Sequence, residues 1–494
     1  MKFSTFIQDL KKKLFGPNLP STDKASENIS VKKKPADKPQ ISMVESSKIN
    51  RQPYIIQIGF DFGTSYSKCI CRDVVTEKAW VHHPLQGDGQ ELPFLISSVI
   101  KYKEGMFGCV DNYVRHYPEN GLYHLKQAMV KTAMKQWDDP VLKPYKSAIG
   151  TTEPSKIHDF VESSAVFYLA RSLGEVRAQI QGRMKDYGNV SDDYMAVNLA
   201  VPVADAEQPA VNAFYNKVLT EAWCLADELA ACDSISMHDL ECLRKKYSLQ
   251  GIRDIEKACF VYPEVSANVQ GFVRSRVSSP GMYLFSDTGA STVDQSVFIF
   301  ARKNNTEHLT YLIGRVLPLG SSNIERQAAE CSGQINNQTL EDWRIKKERL
   351  ENVPELLNAK EWLADKLATG TQSTLAHAKQ KLFVKEQLNE IRLIFGGGGH
   401  CDHPYRTAVM KPFSGQLFRQ DITPDIVGLP TPRDLELDEN QRRWMKRLSV
   451  AYGLSFEKND LVGFTYPKDV NIPSPDELWQ PRKIIPDAPT MDEC

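Results

Sequence analysis

The chain has 494 residues, 41% of them hydrophobic, and a formal net charge of -1. That length allows two or three domains with cores of their own, while near-neutral charge without a long basic stripe argues against nucleic acid as a principal partner. Ten cysteines, among them Cys69, Cys71, Cys109, Cys224 and Cys259, are scattered without a regular framework. This suits a reducing cytosol, and with no secretory signal or membrane-length apolar run a cytoplasmic location is expected.

At the N-terminus Phe3, Phe6, Ile7, Leu10 and Leu14 recur at helical spacing, with Lys2, Lys11, Lys12 and Lys13 on the polar side or flanking. The pattern predicts a short basic amphipathic helix over residues 2–15. Its open alternatives are peripheral contact with the inner face of an anionic membrane, docking into a partner groove, or packing on its own body. The Lys-, Ser- and Pro-rich stretch that follows, up to residue 53, reads as a flexible linker.

The run Tyr54 to Ile58 predicts a buried strand, and Asp61-Phe62-Gly63-Thr64-Ser65-Tyr66-Ser67 a tight turn into the second strand of a hairpin. Gly63 lets the turn bring backbone N–H groups close to an anion, Thr64 and Ser65 add hydroxyl donors, and Asp61 is suited to a hydrated Mg²⁺. Cys69-x-Cys71 reads as two core positions on one face of a strand. Ser97 to Tyr102 and Met106 to Cys109 are expected as short strands, and Leu122 to Met134 and Phe160 to Arg183 as helices. Tyr194 to Val201 is a strand stopped by Pro202. A helix from about Ala204, with Val211, Phe214, Val218, Leu219 and Ala222 on one face, precedes a further helical segment from Leu225 to Tyr247 and a strand from Ala258 to Tyr262.

The first signal then returns. Met282 to Phe285 leads into Asp287-Thr288-Gly289-Ala290-Ser291-Thr292-x-Asp294, a second strand and acidic, donor-rich turn. One such turn is weak evidence, since Asp, Gly and Thr occupy ordinary hairpins for local reasons; two, each after a buried strand, suggest the halves of a phosphate clamp. A polar helical region from about Glu325 to Asn389 leads to a strand, Ile391 to Phe395, and to Gly396-Gly397-Gly398-Gly399. Four glycines let backbone approach a flat or phosphorylated ligand, and the helix expected at Tyr405 to Met410 would offer its N-terminus to anions. His400-Cys401-Asp402-His403 lacks the further ligands at spacing that a zinc site needs. The closing helix is expected at Gln441 to Phe456, followed by a Pro-rich tail that cannot build a core.

In this order the motifs resemble the actin-like ATPase superfamily, and within it the nucleotide-binding domain of the seventy-kilodalton heat-shock (DnaK-like) chaperones. The likeness rests on Gly59 to Ser67, on Val201-Pro202 and the helix after it, on Glu264-Val265-Ser266-Ala267 as a divergent connecting turn, and on Ala451-Tyr452-Gly453-Leu454. It spans roughly Tyr54 to Lys458. It implies an α/β, two-lobed fold in which a ribonuclease H-like mixed sheet with flanking helices is duplicated, and it implies binding of ATP and Mg²⁺. By the same resemblance Asp61 and Asp287 would face Mg²⁺ through its waters and Glu264 would order metal or attacking water. Gly63, Thr64, Ser65, Gly289, Ala290, Ser291 and Thr292 would wrap the phosphates, and Gly396, Gly397, Gly398 and His400 would meet the adenosine.

The boundaries that follow are an amphipathic helix and linker arm at 1–53, a first lobe with an inserted subdomain at 54–204, its helical extension at 205–257, a second lobe at 258–458 with a helical insertion at about 325–389, and a Pro-rich tail at 459–494. Departures from the family shape the functional expectation. Asn112 stands near the place of a lysine that positions the nucleophile, so hydrolysis is expected to be slow or lost. Ala290 and Ser291 replace glycines, which requires negative φ there. No β-rich peptide-binding domain follows Lys458, so the expected output is a nucleotide-driven shape change read by a protein partner. The alternatives are a membrane-tethered actin-like filament, a phosphotransferase of the sugar-kinase type with Asp205 as candidate base, and a nucleotide-binding scaffold without turnover.

Overall fold

A computed structural model describes residues 51–85, 92–110, 117–202, 208–247, 256–275, 278–303, 306–399, 403–415, 417–418 and 421–470. The expected N-terminal helix, Asn112, Ala204, Asp205, His400, Cys401, Asp402 and the tail beyond residue 470 lie outside them.

The first sheet begins with β1 (Ile55–Asp61), which turns through residues 62–65 into antiparallel β2 (Tyr66–Asp73) and on to antiparallel β3 (Lys78–Val81). Short β4 (Ile96–Ser97) pairs with the start of β2. β5 (Ile100–Lys103), β6 (Met106–Cys109) and β7 (Gly121–Leu122) then form an antiparallel sheet of their own. Helices α1 (Leu125–Ala133), α2 (Lys143–Ile149) and α3 (Pro154–Arg183) follow. Pro154 and Pro209 sit at first-turn positions, where a missing N–H costs nothing. β8 (Tyr194–Val201) returns parallel to β1; α4 (Pro209–Leu229), β9 (Ser234–Ser236) and α5 (Met237–Lys246) lead to β10 (Cys259–Pro263), parallel to β8.

After the short helices α6 (Glu264–Asn268) and α7 (Gln270–Val273), the second sheet repeats the scheme. β11 (Gly281–Thr288), β12 (Val293–Lys303) and β13 (Thr306–Leu317) are an antiparallel meander. Helices α8 (Ser322–Cys331), α9 (Asn337–Glu348) and α10 (Pro354–Gln380) connect it to β14 (Arg392–Gly396), parallel to β11. α11 (His403–Met410) leads to β15 (Ile426–Val427), parallel to β14. β16 (Leu435–Glu436) joins the free edge of β3, α12 (Glu439–Arg443) and α13 (Met445–Leu454) close the chain over the sheets, and β17 (Gly463–Thr465) joins β13. The protein is thus of mixed α/β class. Its two large sheets share one internal order, β3-β2-β1-β8-β10 and β13-β12-β11-β14-β15, three antiparallel strands followed by two parallel ones.

Side-chain alternation sets which face each turn presents. On β1, Ile56, Ile58 and Phe60 enter the core with α3 and α4, so Gln57, Gly59 and Asp61 face the other way. Gly59 is pressed against the backbone of α13, where a Cβ would collide with Ala451 and Ser455. On β11, Met282 and Leu284 belong to one core and Tyr283 and Phe285 to another that holds Val265 of α6, Phe272 of α7 and Val269 between them. Asp287 shares the Tyr283 and Phe285 face. Gly453 of α13 in turn packs onto the backbone of Ala267 in α6, so that the same pair of helices is wedged against the aspartate-bearing faces of both sheets.

Several expectations change. The helical reading of Leu225 to Tyr247 misses β9, three residues that pair with β6 and add an edge to the small sheet; so short a strand has no periodicity to detect. Glu264 to Ala267 is the opening of a helix rather than a turn, because Pro263 stands in extended conformation as its N-cap. The expected closing helix is two helices, the first started by an Asp438–Gln441 capping box and ended at Trp444. The tail contributes to a core after all, since Val462 is buried and Phe464 packs beside it.

Candidate functional site

Both turns are rigidly supported. Under the first, Tyr168 of α3 stacks on Phe62 at 5.4 Å and donates to Ser67 Oγ at 2.8 Å. Ser67 also meets Ser98 Oγ at 3.0 Å, and Ser98 N donates to Ser65 O. Under the second, the segment 320–323 accepts no slack: Gly320 N donates to Ser291 O, Ser321 N to Gly289 O and Ser322 N to Ala290 O, with distances of 2.7–3.0 Å. Gly320 carries no side chain because a Cβ would overlap Ala290, Ser291 and Thr292. In a trans peptide each carbonyl points opposite to the next N–H, so the N–H groups of Ala290, Ser291 and Thr292 face away from that segment. Neither Ala290 nor Ser291 has positive φ, which removes the steric objection to non-glycine residues there.

At the starts of these turns three carboxylates gather, each with its own partner. Asp61 is 2.9 Å from Lys68 Nζ, its register neighbour across the first hairpin. Glu264, at the head of α6, is 2.6 Å from Lys126 Nζ on α1. Asp287 accepts a 2.7 Å hydrogen bond from Asn268 Nδ2, one helical turn after Glu264. Asp61 and Asp287 are 3% and 7% exposed. Burial first, then repulsion from Glu264 and Asp61, pushes the Asp287 carboxyl up to about 7, against the pull of Lys68 and Lys126. For Lys126, burial acts to lower its pKa, yet Glu264, Asp61 and Asp294 together raise it. Carboxylates from the two sheets therefore share one low-dielectric space.

The glycine run closes this space from the second sheet. Gly396 pairs with Asp287 in the parallel register, and a Cβ there would lie 2.7 Å from Phe285 and 3.2 Å from Asp287 Oδ2. Gly397 has φ of 74° and packs against Asp287 Oδ1 and the Thr288 carbonyl. Gly398 lies against the Arg447 guanidinium of α13, which also stands 4.8 Å from the Trp444 ring. Opposite the second turn, Ser291 Oγ meets His124 Nδ1 at 2.5 Å. Burial, with Arg326 nearby, lowers His124 to about 4, so the imidazole is neutral near pH 7. The same stretch of chain touches the helices after β13: Tyr117 donates to Glu325 at 2.7 Å and Tyr123 to Asn337 at 3.1 Å.

The structure thus brings together Asp61, Glu264, Asp287, Gly396 and Gly397, and supports Gly63, Thr64, Ser65, Gly289, Ala290, Ser291 and Thr292 on two braced turns; Gly398 lies one residue further out. Sequence reading missed Lys68, Lys126, Asn268 and His124. Lys68 was accessible from the hairpin register, whereas the spacing of Asn268 after Glu264 tells only once that segment is known to be a helix. Nothing in the sequence ties Lys126 or His124 to the site. Among the described residues no group of three or more His, Cys, Asp and Glu side chains is arranged to hold a metal ion directly, and no helix is long and apolar enough to cross a membrane.

No protein-family model matches the chain, and a search of curated proteins finds no significant similarity.

Proposed function

We propose that the cleft between the two sheets binds Mg·ATP and that the protein is a slowly hydrolysing, chaperone-like ATPase of the actin-like superfamily, switching shape for a protein partner. The observation that carries this reading is that Asp61 and Asp287, each near the end of the first strand of its sheet, are both buried and near enough for the Asp61 charge to help raise the Asp287 carboxyl. The duplicated strand order is the one that a doubled ribonuclease H-like fold requires.

The residues fit a divalent cation by charge. Asp61, Glu264 and Asp287 set three carboxyl groups near the ammonium groups of Lys68 and Lys126, and repulsion from Glu264 and Asp61 adds to burial in raising the Asp287 carboxyl, a repulsion that a cation between Asp61 and Asp287 would relieve. In this reading Asp61 and Asp287 hold the cation through its waters. The cation supplies neutralisation of phosphate charge. The backbone donors of residues 290–292, with Ser291 Oγ, and the first turn with Thr64 and Ser65 hold the phosphoryl oxygens. Gly396 to Gly398 admit the nucleoside. Lys126 bears on turnover: a buried ammonium beside Glu264 supplies the kind of charge whose loss was expected from Asn112, so the site retains a cationic group for the transferring phosphoryl.

Calorimetric titration with Mg·ATP tests the reading. Asp61→Ala and Asp287→Ala are expected to weaken binding by about a hundredfold or more, as loss of a buried charged contact does, whereas Asp159→Ala, an exposed acid on α3, is expected to bind as the wild type does. Equal affinity in all three variants, or no binding by the wild type, sinks it.

A further inference from the structure

We propose that Asn268 is a positioning residue of this site, its amide joining the Asp287 carboxylate through Nδ2 to a water of the cation's hydration shell through Oδ1. The inference rests on the Mg·nucleotide reading above and adds to it a residue that neither turn contains.

Three observations carry it. Asn268 Nδ2 donates to Asp287 Oδ2 at 2.7 Å within the buried interior, and toward the ionised Asp287 that a cation requires, an acceptor only, the amide presents Nδ2 and turns Oδ1 away. Asn268 is 1% exposed, and its Oδ1 has no hydrogen-bond partner in the protein. Among the described residues it is the unpartnered buried oxygen whose own amide touches one of the two aspartates assigned to the cation. A buried amide oxygen left unmatched is unfavourable, so such an atom at a ligand site points to an acceptor with a role. The third observation is steric. A Cβ on Gly396 would lie 3.0 Å from Asn268 Nδ2, and one on Gly397 would overlap Asp287 Oδ1, so the absence of side chains at these two positions makes room for the Asn268–Asp287 pair.

The local structure explains why Asn268 can do this. Glu264 and Asn268 stand at the two ends of α6, four residues apart and on one face of the helix. The helix is held by Gly453 of α13 beneath it and by Lys126 above Glu264. Glu264 and Asn268 therefore approach the cleft as a unit, one contributing charge and the other an oriented dipole. Outer hydrogen bonds of this kind orient the groups that face a metal.

The test compares wild type, Asn268→Ala and Asn268→Ser in the full chain, using a fluorescent N-methylanthraniloyl-ADP as probe. Each protein is titrated with the probe in EDTA and then with Mg²⁺ at fixed probe, and its melting temperature is recorded. Expected are probe affinities in EDTA close to wild type for both variants, and Mg²⁺ midpoints raised by about tenfold or more, the usual consequence of losing an outer-sphere partner. An unchanged Mg²⁺ midpoint in a folded variant overturns the proposal. So does an equal loss of affinity with and without Mg²⁺, which is the mark of a merely structural role. If Asn268→Ala does not fold, Asn268→Ser decides on the same criteria. A wild type that binds no nucleotide removes the functional reading and this proposal with it, whereas wild-type binding with an unchanged variant midpoint removes this proposal alone.

Discussion

Lys126 Nζ on α1 lies 2.6 Å from Glu264 Oε2 at the first residue of α6, and both side chains are largely buried. The pair ties the stretch that follows the small sheet to the helix that carries Asn268 toward Asp287. It is a contact between parts of the chain that no local rule connects.

Breaking a buried ion pair by removing one partner costs about 3–5 kcal/mol, because the other charge is left uncompensated. Lys126→Met is expected to lose stability of that order in urea unfolding. Adding Glu264→Gln to it should recover most of the loss, since the stranded carboxylate is gone. Strictly additive losses in the double variant would show that the two groups do not depend on each other.

The Asp287 carboxyl, raised from 3.8 to about 7, takes up a proton in the folded state over a range where the unfolded chain has none. Stability from this group is therefore present at low pH and declines as pH rises from about 4 to 7, by at most about 1.4 kcal/mol per pH unit. Asp287→Asn removes the decline and is expected to be more stable than the wild type at pH 8, judged by melting temperature. Identical pH profiles for the two proteins would refute the assignment.

His124 works in the opposite sense. Lowered from 6.5 to about 4, it binds its proton more weakly in the folded state, so stability is lost as pH falls below 6.5. His82, buried beside His83 and lowered to about 3, adds to the same acid limb. His124→Gln is expected to flatten that limb in part while removing a hydrogen bond worth about 1 kcal/mol. A wild-type acid limb in His124→Gln, measured by urea midpoints between pH 4 and pH 7, would place the sensitivity elsewhere.

Gly397→Ala tests the glycine run without touching a charge. At φ of 74° an alanine is strained by about 1–2 kcal/mol, and its methyl group would overlap Asp287 Oδ1. Both stability and Mg·nucleotide affinity are expected to fall. Gly428→Ala, in open space just after β15, should change neither.

Much of the site was readable because it is made of local signals. Asp61 and Asp287 each end an apolar run and open a turn of glycine and hydroxyl residues, and both turns formed at the ends of continuously buried strands. Lys68 was within reach by the same logic: once the first hairpin pairs, register sets Lys68 directly across from Asp61. Asn268 was hidden by the reading of Glu264 to Ala267 as a turn, since only a helix puts residues four apart on one face. β9 escaped because three residues between two helices carry no period, and the tail was misjudged because prolines mask the apolar pair Leu461 and Val462.

By itself the sequence determined the strands that lead into the two acidic turns and the glycine run, together with those turns, because each is specified by neighbours a few residues apart through sterics, periodicity and turn chemistry. Tertiary structure decided the partners: Lys126 for Glu264, Asn268 for Asp287, His124 for Ser291. Those pairings arise when two sheets of the same topology are packed against α6 and α13, and the shared burial that results makes the charges of one sheet felt by those of the other. Charge alone is written in the residue. How strongly it is felt depends on the dielectric and the distances that folding creates.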